Sequence, residues 1–176
     1  MINPDKLKQF MTAIDNNDCD TAKTIYEQIK TETILTYIDI QYFEALIARC
    51  QINKLTDLNQ IRQILDDLKT KNNAFLCTHV LPLLIKLLDE SDVEYCKDKN
   101  PKSYVFMKIR YLLNVLQHNP DQTSYNELKQ LITNYKDFID ESSKNFILDT
   151  LQNINLEYFK EVKSLFEGGN VGNNSN

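Results

Sequence analysis

Two arginines stand where a charge is costly. Arg49 and Arg110 fall inside two mostly apolar stretches of a chain whose 20 basic residues include only 3 arginines. A guanidinium there demands a partner or a route to water. Either it closes a structural ion pair or snorkels at the edge of a core, or it faces a groove and grips a partner's carboxylates with its planar, bidentate donors. Tyr42 and Tyr111 are placed to flank such a groove, with Tyr37 and Tyr104 as further candidates, although aromatics at helical spacing also serve as core. Arg49, Arg110, Tyr42 and Tyr111 are therefore the candidate partner-binding residues.

The remaining reactive side chains carry less. The cysteines stand at 19, 50, 77 and 96, too far apart for a CxxC metal knuckle. Cys77 and His79 are two residues apart, about 200° around a helix, and cannot share an ion without breaking it. Cys96 lies beside Lys97 and Lys99, cations that favour the thiolate, but no base with an orienting partner accompanies it. The carboxylate pairs Asp66-Asp67, Asp89-Glu90 and Asp140-Glu141 diverge by about 100° on a helix and read as caps and solvated surface. The sequence thus implies no catalytic set, no metal and no cofactor.

Net charge is −5, divided −3 and −2 between residues 1–90 and 91–176. No basic run is free of acids, which argues against a nucleic-acid partner. No apolar stretch reaches the length of a membrane span. The N-terminus lacks the apolar core of a secretory signal. Reduced thiols and a cytoplasmic location are the corresponding expectations.

The elements that must position these residues are helices. Apolar residues recur at helical spacing nearly from end to end, and no stretch alternates with period two long enough to make a strand. The three glycines fall in the last nine residues, which leaves the interior without the usual means of tight hairpin turns. Asn3-Pro4 opens the first helix and Asp18 the second. Helices follow over about 34–52, from Asp57 or Thr56 to about Lys69, over 74–89 with a kink at Pro82, over 103–118, over 122–138, and from about 141 onward, with a break near Asn153–Asn155 or none. Residues 90–103 read as the clearest interior loop. The reading is all-α: seven or eight helices as stacked antiparallel hairpins in a solenoid-like array, with a closed bundle as the alternative. One helical domain covers 1–167, and the glycine- and asparagine-rich tail, 168–176, is expected to be disordered.

Within the first hairpin, NDCDTAKTIYEQI resembles the second helix of tetratricopeptide and pentatricopeptide repeats. Ala22, Tyr26 and Ile29 fit the series of small, aromatic and apolar residues at spacings of four and three. The motif does not recur downstream, and the preceding helix lacks the family's small residue. The resemblance implies stacked hairpins acting as a scaffold for a protein partner or, in the pentatricopeptide kind, for RNA. The expected function is a non-enzymatic interaction module: an adaptor, chaperone or regulatory subunit that binds a protein or peptide in a groove between helices. Alternatives are a pathogen or phage protein that blocks a host factor, and a small-molecule binder or enzyme with an interhelical pocket.

Overall fold

Side-chain chemistry at the helix starts sets the architecture. In the computed structural model, residues 1–174 are described, with side chains through residue 168. The expectation for the tail, 168–176, falls almost wholly on residues whose side chains lie outside the described set. Among the described residues there is no strand, and helix accounts for 81%. Nine α-helices appear among the described residues, where seven or eight were expected.

The chain divides into two compact units, Met1–Leu83 and Leu84–Asn176. The first holds α1 (Pro4–Asp15), α2 (Cys19–Glu32), α3 (Tyr37–Lys54) and α4 (Leu58–Thr70). Asn3 Oδ1 accepts from the Asp5 and Lys6 amides and so caps α1. Asp18 does the same for α2 through Thr21. Asn17, at φ 60°, supplies the left-handed residue between them, a conformation asparagine tolerates better than other non-glycine residues. A reciprocal capping box of Thr36 and Asp39 starts α3, and Asp57 starts α4. Helix α3 receives both α1 and α2. Phe10, Ala22, Ile29, Phe43 and Cys50 meet there in one core cluster.

After α4 the expected helix over 74–89 does not form as one piece. A π-helical turn, Leu76–Val80, is followed by 3-10 turns at Leu81–Leu83 and Ile85–Leu87. Pro82 is the cause: it has no amide to donate, and its ring displaces the carbonyl four residues back. Asn73 anchors the entry, donating to the Gln41 carbonyl at 2.9 Å while the Ala74 amide donates to Gln41 Oε1. Both amide side chains are buried, and this exchange satisfies them.

The second unit corrects a further expectation. Of the loop expected over 90–103, only residues 96–100 are non-helical. Glu90–Tyr95 forms α5, started by a capping box between Asp89 and Asp92, and α6 (Pro101–His118) begins with Asn100 as cap. Next come α7 (Gln122–Tyr135), a 3-10 turn (Lys136–Phe138), α8 (Glu141–Ile154) and α9 (Leu156–Asn174). Asn155 caps α9 through the Glu157 and Tyr158 amides, and this is why the last two helices are separate. Helix α6 packs on α7 and α8, and α9 packs on α8 and α7.

Capping carboxylates couple these helices to pH. Hydrogen bonds from Thr21, Ser124 and Ser143 hold Asp18, Asp121 and Asp140 below the ordinary value of 3.8. Bonds from Lys129 and Tyr125 lower Glu161 likewise. Depressed carboxylates contribute stability that is complete above their unfolded values and is lost as pH falls through the folded ones. Replacing the three aspartates with asparagine keeps an acceptor at each cap but removes the titration. That variant is expected to lose less stability between about pH 5 and pH 2 than the parent. Urea midpoints across that range test it, and identical acid limbs would refute it.

Two charged residues are buried: Asp92, a member of the capping box that starts α5, and Lys108. Lys108 is 5% exposed and is ringed by Glu94 at 2.8 Å, Glu90 at 3.5 Å and Glu127 at 3.6 Å. Burial alone would lower its pKa, but the bond to Glu94 and the surrounding negative charge outweigh that and raise it. A raised lysine contributes stability that is complete below the ordinary 10.5 and disappears as pH rises through the folded value. The glutamates keep much of their hydration, so Lys108→Ala is expected to cost about 1–2 kcal/mol, less than the loss of a fully buried pair. The loss should be the same at pH 6 and pH 9, as read from urea midpoints.

Candidate functional site

The structure places the four predicted partner-binding residues in two pairs, one in each unit. In the first unit, Tyr42 and Arg49 lie seven residues apart on α3 and so share a face. Both reach the π-helical turn: the Tyr42 ring meets Phe75 at 5.2 Å and His79 at 5.8 Å, edge-on, and Arg49 Nη1 donates to the His79 carbonyl at 3.4 Å. That carbonyl lies in the stretch that Pro82 disrupts, so Arg49 has a structural task. Tyr37 is exposed and Tyr104 is core.

Arg110 is different. It lies half-buried on α6, and Nη1 donates to the Phe106 carbonyl at 3.0 Å. Both terminal nitrogens reach Ser143 Oγ on α8 at 3.4 Å. Its Cζ stands 3.5 Å from the centre of the Phe106 ring and 5.2 Å from that of Phe146. Two aromatic faces and a hydroxyl thus fix the plane of the guanidinium. Burial lowers its pKa, and the Asp140 carboxylate acts in the opposite sense, but Arg110 forms no ion pair among the described residues. Arginine stays protonated regardless.

Arg110 opens into a cavity of about 570 Å³, with Tyr111 also in its wall. Ile85, Leu88, Leu113 and Phe146 supply the apolar surface, and Lys86 adds a second positive charge; no acidic residue lines it. In a chain of net charge −5, that local sign is against the average. A larger cavity, about 640 Å³, lies between α2, α3 and α4. There Lys30 is paired with Glu27, and the neighbouring Lys71 with Glu44 and Asp67; with Lys23 the lining carries two lysines against three carboxylates, so this cavity lacks the basic sign of the other.

Sequence reasoning singled out Arg110 and Tyr111 but not the residues that orient Arg110. Phe106 is one turn before Arg110 and could have been found from its spacing. Ser143 and Phe146 come from α8 and leave no local signal. The buried Lys108 carried the same mark as Arg110, a cation on an apolar helix, and was passed over.

The cysteines overturn another expectation. Cys19 and Cys50 are joined in a disulfide with Cα atoms 5.8 Å apart. Cys77 and Cys96 are disulfide-bonded as well, and no cysteine is free. Cys96, at 0% exposure, is therefore not a reactive thiol, and Cys77 is not a thiolate ligand. Among the described residues, no group of three or more His, Cys, Asp or Glu side chains could hold a metal. Among the described residues, no helix is long and apolar enough to cross a membrane.

The chain matches no protein-family model, and comparisons with curated proteins and with solved structures return no match.

Proposed function

We propose that this protein is a non-enzymatic interaction module whose second unit binds an acidic, apolar segment of a partner protein in the Arg110 groove. The observation that carries the reading is the guanidinium itself. It stands 3.5 Å from the Phe106 ring centre and 5.2 Å from that of Phe146, lies beside apolar surface, and forms no ion pair among the described residues. An incoming carboxylate would complete a charge-assisted, bidentate contact in a partly dehydrated site, and the apolar wall would supply most of the affinity.

The architecture proposed for this task is a solenoid-like stack of hairpins of the kind the tetratricopeptide resemblance implies. Neighbouring helices packed in chain order, α1 with α2, α6 with α7 and α8 with α9, support it. The working compartment proposed is an oxidising one, in place of the cytoplasm. Four disulfide-bonded cysteines support that choice, because reducing compartments keep thiols unpaired.

Selection of a displayed peptide library on the purified chain tests the binding function. Enriched ligands are expected to place an acidic residue beside apolar ones. Arg110→Gln should weaken them at least about tenfold, the scale of a lost charge-assisted bond, with unchanged helicity by circular dichroism. Arg49→Ala in the same assay decides whether the Tyr42–Arg49 face contributes. Enrichment without acidic residues, or full binding by Arg110→Gln, would remove the proposal.

A further inference from the structure

Resting on the reading of Arg110 as a carboxylate receptor, we infer that the partner segment lies extended along α6, its main chain read by Asn114 and Gln117. Arg110, Asn114 and Gln117 are four and three residues apart and form one stripe, rising by about 6.0 and 4.5 Å along the helix. All three line the same cavity. Asn114 and Gln117 are exposed, and neither side chain is engaged in a hydrogen bond among the described residues. Only the main-chain carbonyl of Asn114 is used, accepting from His118 Nδ1 at 2.8 Å.

A carboxamide carries both a donor and an acceptor, the same complement as a peptide group. A docked helix would not use it, because its own amides and carbonyls are consumed internally. An extended chain presents them outward and repeats about every 6.6–6.8 Å per two residues, close to the Arg110–Asn114 rise. Its side chains alternate, so residues i and i+2 face the same way. With the acidic residue at Arg110, the residue two positions away faces the same cavity, whose lining includes Ile85, Leu88 and Leu113, and is therefore apolar. The occupant is thus a segment of the form apolar–any–acidic in strand conformation, matched by the basic sign of the groove.

A positional library of fluorescein-labelled pentapeptides, acetylated and amidated to remove terminal charges, tests this by fluorescence anisotropy on the full chain. Apolar–any–acidic members are expected to bind best. N-methylation of the two amides between those residues should weaken binding about tenfold, and so should Asn114→Ala with Gln117→Ala, the scale of one or two neutral hydrogen bonds lost from a partly buried site. Circular dichroism checks that both variants keep their helices. If N-methylation and the double variant change nothing while Arg110→Gln abolishes binding, the extended conformation is wrong and the carboxylate receptor stands. If Arg110→Gln has no effect, the receptor itself fails. Binding of decanoate as tight as that of the best peptide would make the groove a site for free amphiphiles and overturn the peptide reading, as would failure of every library member at millimolar concentration.

Discussion

Replacing Cys19 and Cys50 together by alanine is expected to destabilise the first unit by about 3–4 kcal/mol. The bridge spans a sequence separation of 31, and a cross-link of that length removes much of the freedom of the unfolded chain. Both sulfurs lie in the core cluster with Phe10, Ala22 and Phe43, so alanine leaves little unsatisfied and the effect falls mainly on the unfolded state. The reading is a urea transition with and without reductant. The parent should lose most of its advantage when reduced, whereas the double variant should respond to reductant only through its remaining cysteines. Burial slows the reduction: Cys19 is 5% and Cys50 1% exposed, so reductant is expected to act chiefly during unfolding. Titration of four free thiols in the untreated protein would contradict the pairing.

The contrast between what could and could not be read in advance is physical. Helix starts were legible because each is written in two to four adjacent residues: Asn3-Pro4, Asp18, Asp57 and Asp140 all cap where their types suggested. The stretch 74–89 was misread because Leu76, Val80, Leu81 and Leu84 keep an apolar pattern that a disrupted helix buries equally well. Pro82 was visible, but its effect spreads over two turns. Residues 90–95 were misread for the opposite reason. They are rich in charge, and only the Asp89–Asp92 capping box betrays the helix. Disulfide pairing depends on which segments meet, and single-chain spacing does not encode that. The Arg110 site was half legible. Its charge on an apolar helix is local, whereas Ser143 and Phe146 arrive from more than thirty residues away.

Phe43→Ala is expected to have the largest effect of any single substitution in the first unit, about 3–5 kcal/mol. Phe43 is 1% exposed and joins three elements. Phe10 of α1 meets it edge-on at 4.8 Å, Tyr26 of α2 stacks on it at 4.9 Å, and Tyr42 approaches at 6.3 Å. Removing the ring leaves a void that the surrounding helices cannot collapse to fill, because Tyr26 and Phe10 are rigid and the Cys19–Cys50 bridge fixes α2 against α3. Phe43→Leu keeps most of the volume and should cost less than about 1.5 kcal/mol. With 9 tyrosines and no tryptophan, tyrosine fluorescence and circular dichroism are the probes. The alanine variant should shift the urea midpoint at constant slope. Equal midpoints for the alanine and leucine variants would show that the ring is not the keystone of this core. If the two probes ceased to coincide in the alanine variant alone, its unfolding would no longer be a single transition, as expected where one ring holds α1 and α2 against α3.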